Sequence, residues 1–585
     1  MPRLHQISLP LSCVCLLLFS GAARAQTLAE AEKGIEDLQQ NGQLFDKTKH
    51  KEVRAAFAKL FEAKHQKTIA KSFGDDAEAI TKWLDARPDF RDHLFSAIND
   101  HYDRVGPAMS MFRQLWKYSP EKVASNPELA IAVVVSWDEP ERLYHYERHQ
   151  ERTKSSLPNG QIDGLGNFQY IINDKVLEAR CRWLPWEFLV FVVDHTTPLA
   201  ERAWAQTYAR TNAGLTSWHK DVPYDHGMLK AEKSKGTSAV QPKLAGQEYT
   251  LANIRAFGGV CAMQADFAAR VAKSTGVPAV YCGGQSANGV RHAWWMWVQV
   301  TKVTADSLQF TLKSDGRFQG FIKDAFYTGL VEEPRRGTRI LDREMERRLY
   351  VAGNDRVGNR QAEMLMNAYV WLQRKQKWDT AQKREYLDKV RKLCPLHEGP
   401  WLEYAKMAQV NKSDQDKEAL GKYVPVLLEQ FKNFPDFVQE NFKYLVTTQP
   451  AAEQLKSFQK ALILLDKSGR PDLVCAGVLE LTDARIKQQD WLTAFKGLHQ
   501  IISRYPTEGR FIPRLTKKAQ EVAGQIKGGN DQLGLIYLDL VPKIAVYYRG
   551  EGATYPDEIY NQAMGFFAQN KMDNYANALR GAMKK

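Results

Sequence analysis

Between Gly258 and Val300 the chain changes its hydrophobic period, and few folds accommodate that change in so short a span. Cys261, Ala265, Ala268 and Ala272 recur at three- and four-residue steps, which lines them along one face of a helix, with Asp266, Arg270 and Lys273 on the opposite face. Gly276-Val277-Pro278 stops that pattern. Val280-Tyr281-Cys282 then reads as a strand, Gly283, Gly284 and Gly289 mark a glycine-rich loop, and His292 opens a run of strict alternation. In that run His292, Trp294, Met296 and Val298 fall on one face and Ala293, Trp295 and Trp297 on the other. The strand-like SLQFTLK (307–313), the tight-turn pair Asp315-Gly316 and a further strand over Arg317–Ala325 complete the unit. A helix followed at once by strands predicts an α+β core.

The flanks read as helical. Residues 26–235 carry amphipathic segments such as KEVRAAFAKLFEAK, and Asn126-Pro127-Glu128 has the form of a helix N-terminus. Pro185 marks another, and PLAERAWAQTYARTN is amphipathic along its length. The central unit is expected over 236–345. From 346 to 585 the pattern is helical almost without break, and Lys377-Trp-Asp-Thr-Ala381 is echoed by Asp490-Trp-Leu-Thr-Ala494. Prolines at Pro395, Pro435, Pro471 and Pro506 have the spacing of helix-turn-helix repeats, each taken to end the second helix of a unit. The expected architecture is an α+β centre between helical regions, the second a degenerate solenoid that resembles tetratricopeptide repeats.

Residues 1–25 have the form of a secretory signal. Arg3 supplies a basic start, Ile7–Phe19 an apolar run and Ala23-Arg24-Ala25 a cleavage pattern. No later stretch is apolar enough to span a bilayer. The expectation is an exported protein, periplasmic or extracellular, with no integral membrane segment after signal removal. The formal net charge of +13 comes with Lys and Asp/Glu interspersed throughout, which is a solvated surface rather than a nucleic-acid module. Cys181, Cys261, Cys282, Cys394 and Cys475 remain after the signal, too few for a disulfide scaffold.

Cys261 follows Gly258-Gly259 and falls in the first turn of the helix, where the dipole and unpaired N–H groups favour a thiolate and can hold an oxyanion. His292 opens a strand beside a glycine-rich loop. Gly259-Val260-Cys261, the helix behind it, Gly276-Val277-Pro278-Ala279 and His292-Ala293-Trp294 together resemble the transglutaminase-like superfamily of papain-type cysteine enzymes. The resemblance covers about Tyr249 to Asp315. It implies Cys261 as nucleophile, His292 as base and an acid on the following strand, for which Asp315 comes first, with Asp306 and Asp324 as alternatives. The tryptophan usual before that acid is absent, with Phe310 the nearest aromatic.

The implied chemistry is a thioester route, with backbone N–H groups at Cys261 and Gly259 supporting the oxyanion. Gln247 and Tyr249 lie upstream as a second donor, and Trp294 and Tyr249 are the expected substrate contacts. No cofactor is implied. A metal site of Cys261, Cys282 and His292 lacks a fourth ligand, so none is expected. The first functional expectation is a cysteine hydrolase or acyltransferase acting on an amide bond of a peptide, protein or cell-envelope substrate. The second is an inactive binding or scaffold protein whose helical repeats hold protein partners.

Overall fold

The structure, a computed structural model, describes residues 27–212, 217–233, 240–304, 307–317, 325–410, 413–548 and 555–584. The signal-like segment, Asp306, Asp324 and most of the strand expected over Arg317–Ala325 lie outside the described residues. The fold is mostly helical around one five-stranded antiparallel sheet: β1 (Ala279–Gln285), β2 (Arg291–Val303), β3 (Leu308–Asp315), β4 (Gly329–Glu332) and β5 (Arg339–Leu341). Their order is β3-β2-β1-β4-β5.

Strand alternation divides the core in two. Val280, Cys282, Trp294, Met296 and Val298 share a core with Pro127–Ser136, Trp186–Val193 and Met345 and Leu349 of Asp342–Asn354. On the other face Ala279, Ala293, Trp295 and Trp297 pack with the helix Cys261–Ser274 and with Tyr144, Tyr146, Trp218 and Tyr249. Both cores take residues from either side of position 235, so the N-terminal helices and the sheet fold around common interiors.

The helix Cys261–Ser274 runs through the middle of this assembly. Its entry is fixed by Gly258, whose φ of 85° suits glycine and whose added Cβ would sit 2.1 Å from the Pro223 carbonyl oxygen. Gly259 N–H donates to that carbonyl at 3.0 Å, and Asp225 N–H donates to the Gly259 carbonyl at 3.0 Å. Every residue after Cys261 is buried, the charged face included. Charges taken out of water must be paired, and these are. Asp266 accepts from the hydroxyls of Tyr144 (3.0 Å) and Tyr249 (3.1 Å), Arg270 reaches Glu201 at 2.9 Å, and Lys273 bonds Asp194.

The β2–β3 hairpin carries one irregularity. From Val303↔Leu308 to Lys302↔Gln309 the ladder runs in one register, and from Val300↔Phe310 onward it runs in another, so Thr301 is a bulged extra residue. A bulge changes which side chains share a face.

Helices fill the C-terminal half. The echoed motifs do begin equivalent helices: Asp379 caps Thr380–Leu393 in a capping box with Gln382, and Asp490 caps Trp491–Arg504. The prolines divide differently from expectation. Pro395 and Pro506 follow helix ends, but Pro435 and Pro471 occupy first helical positions, where the missing N–H costs nothing. This half is tied to the rest. The helix His50–Phe73 packs on Arg356–Lys375, and Arg510 donates to the β1–β2 connection through its backbone N–H (Ala287 O, 2.8 Å) and its guanidinium (Gln285 O, 3.3 Å). Among the described residues no helix is long and apolar enough to cross a membrane.

Candidate active site

Cys261 is the first residue of its helix, behind an extended Val260 whose side chain offers the first turn no acceptor. It is the partly exposed cysteine; Cys181, Cys282, Cys394 and Cys475 are buried. Burial pushes the thiols of Cys181, Cys282 and Cys394 up to about 12 and raises that of Cys475 as well. Those four are packing residues. The phenol of Tyr281, on β1, is raised first by burial and next by the nearby charge of Cys261. Tyr281 in turn stacks on Tyr144, with ring centroids 5.5 Å apart, and lies 5.1 Å from the ring of His149.

His292 leaves the sheet on the other side. Its ladder partner is Gly284, its ring neighbours are Phe326 (5.0 Å) and Trp294 (6.2 Å), and it is 6% exposed. Phe326 and Trp294 belong to the core opposite the Cys261 helix. The Nε2 atom contacts the Gly316 carbonyl at 2.5 Å. Burial lowers the pKa of His292, the Gly316 carbonyl opposes that by favouring the protonated ring, and the charge of nearby His219 lowers it again.

Asp315 pairs with Trp295 across the hairpin and therefore shares the face of the Cys261 helix. Its Oδ2 lies 3.1 Å from Nδ1 of His219, at ion-pair distance but without hydrogen-bond alignment, and its Oδ1 accepts from the Gly316 N–H at 2.9 Å. The bulge at Thr301 accounts for this. In the register next to the hairpin turn Asp315 would oppose Met296, on the His292 face; one extra residue turns it to Trp295. The acid expected to orient His292 thus faces another histidine.

Three further expectations are corrected by burial and bonding. The Gly259 N–H is spent on Pro223 and is not an oxyanion donor. Tyr249 is fully buried, its hydroxyl held by Asp266, and Trp294 is 1% exposed beneath the Arg317 guanidinium; neither can reach substrate. Cys282 lies in the core opposite the Cys261 helix.

His219 is the residue that sequence reasoning missed. It sits in the short turn Trp218–Asp221, packed on the Cys261 helix and 8% exposed. Trp218 stacks on Trp295 at 5.9 Å and 18°, which fixes the turn over β2. The available signal was Trp-His between two helical patterns, and it carries no spacing to a nucleophile. No family model matches the chain, and no curated protein or solved structure matches it significantly.

Proposed function

We propose that this chain is an exported cysteine hydrolase or acyltransferase of the transglutaminase-like kind, acting on an amide bond of a peptide, protein or cell-envelope substrate. One observation carries the reading: Cys261 stands partly exposed at the start of a helix whose every other residue is buried. That position gives the sulfur a helix dipole that favours thiolate and first-turn N–H groups aimed at a developing oxyanion. The helix is held by paired buried charges, so the nucleophile is presented from a rigid support. Attack on a carbonyl yields a thioester, which water or an amine then resolves. The helical array of the C-terminal half would hold partners or shape access.

Iodoacetamide alkylation followed by intact and peptide mass analysis tests this. The mature protein should take one label rapidly at pH 7, on Cys261, at least about tenfold faster than an unperturbed thiol of pKa ~8.5. Labelling no faster than that, or unchanged in Cys261→Ala, sinks the reading. The second reading, a binding protein with an inactive centre, draws on the burial of His292 against Phe326. It requires slow labelling of Cys261 together with retention of partners by residues 346–585.

A further inference from the structure

We propose that His219, oriented by Asp315, is the imidazole that serves Cys261, in place of His292. The inference rests on Cys261 being the nucleophile.

Four histidines border this region, of which His226 is exposed, its ring 5.0 Å from that of Tyr224. His149 is engaged by the Tyr144 hydroxyl at 2.8 Å, is 2% exposed, and is pushed by burial down to about 3, so it is neither free nor basic enough. His292 projects from the opposite face of the sheet, its ring against Phe326 and Trp294 of the other core. His219 shares the helix's face with Asp315, Trp295 and Tyr281.

The direction of Cys261 agrees. At about 100° per residue, Gln264 projects some 60° to one side of Cys261 and Asp266 about 140° to the other. Gln264 Nε2 donates to the Val222 carbonyl at 2.8 Å, which marks the side of the His219 turn. Asp266 bonds Tyr144 and Tyr249, which marks the side of His149. Cys261 therefore projects nearer in angle to the side of the His219 turn than to the side of Asp266.

The local backbone is built around this ring. Gly316, at φ 77°, brings its α-carbon so close that an added Cβ would lie 3.2 Å from Cδ2 of His219. The same residue's carbonyl occupies His292 Nε2. Gly316 thus stands between the two histidines, engaging the ring nitrogen of one and leaving room for the other. With Nδ1 of His219 facing Asp315, Nε2 is the nitrogen left for proton transfer.

In the step this assigns, the Cys261 Sγ–H proton passes to His219 Nε2 as sulfur bonds the amide carbon and the carbonyl π pair moves to oxygen. Collapse of that intermediate breaks the C–N bond, and the amine leaves with the proton from Nε2. Water then attacks the thioester, giving a proton to Nε2, and the S–C bond breaks to restore the thiol.

The test is the pH profile of iodoacetamide alkylation of Cys261 in the full chain, for wild type, His219→Gln, Asp315→Asn and His292→Gln, with circular dichroism confirming the fold. His219→Gln should lose at least about tenfold in rate at pH 7 and move its profile toward that of an ordinary thiol near 8.5. Asp315→Asn should lose about three- to tenfold, and His292→Gln should stay within about twofold. Should His219→Gln fail to fold, a loss in Asp315→Asn beside an unchanged His292→Gln carries the same distinction. Rapid wild-type labelling that survives His219→Gln but collapses in His292→Gln overturns this inference and leaves the nucleophile in place. Slow labelling already in the wild type overturns both.

Discussion

Asp315 Oδ2 stands 3.1 Å from His219 Nδ1, on the Trp295 face of a hairpin whose first strand, β2, holds one residue more than β3 pairs with. Thr301 is that residue. Its deletion is expected to join the Val300↔Phe310 and Lys302↔Gln309 pairs into one continuous ladder, removing the bulge while leaving Asp315 opposite Trp295 and facing His219. The strands should survive by circular dichroism, and alkylation of Cys261 at pH 7 should stay within about twofold of wild type, in contrast to Asp315→Asn. A loss as large as that of Asp315→Asn in a folded deletion variant would show that the bulge itself holds Asp315 against His219.

Gly258→Ala tests the entry to the Cys261 helix. The new methyl would meet the Pro223 carbonyl oxygen at 2.1 Å, and the backbone φ of 85° is unfavourable for alanine. The conformational penalty alone is about 1–2 kcal/mol, and the backbone clash adds to it. Gly469→Ala, at φ 67° with nothing within 4 Å, should show the conformational part only. Urea melts of the two variants should differ by more than about 1 kcal/mol; equal losses would mean that the Pro223 contact yields freely.

Lys273 and Asp194 form a pair buried on both sides. Lys273→Met leaves a carboxylate without its partner and should cost about 3–5 kcal/mol. Adding Asp194→Leu should recover most of that loss, since a buried ion pair is often no more stable than an apolar one. A double-mutant cycle in urea reads the coupling directly, and additive losses would refute it.

Acid should weaken the fold through its buried neutral histidines. Burial lowers His149 from 6.5 to about 3. Below pH 6.5 the unfolded chain binds a proton that the folded chain refuses, so stability falls as pH drops from 6.5 toward 3. At pH 5 the loss is about 2 kcal/mol for this residue. The stability gap between wild type and His149→Gln should therefore narrow by about that amount between pH 7 and pH 5. A constant gap in urea melts at the two pH values would show that His149 titrates normally.

Much of the centre was legible in the residues. The period change at Gly276 places the end of the helix and the start of β1, and the alternation after His292 assigns both faces of β2 as they stand. The partner of Asp315 was not legible. Which face it shares depends on a one-residue bulge fourteen positions away along the hairpin, and nothing in Val300-Thr301-Lys302 announces it. Asp266, Arg270 and Lys273 show the same limit. Their spacing marks a common face, but Tyr144, Glu201 and Asp194, which make that face an interior, come from distant segments. Tyr249 misled for the matching reason: a hydroxyl upstream of the cysteine is a ligand to Asp266.

The contacts of Arg510 with Gln285 and Ala287 make the C-terminal half a structural neighbour of the catalytic-type centre. The rim beside β1 and β2 is thereby shaped by a residue 225 positions downstream of Gln285. Drift in the helical array can reshape that rim while Cys261, His219 and Asp315 stay as they are. Trimming the chain after 345 would accordingly strip the β1–β2 connection of the wall that Arg510 supplies.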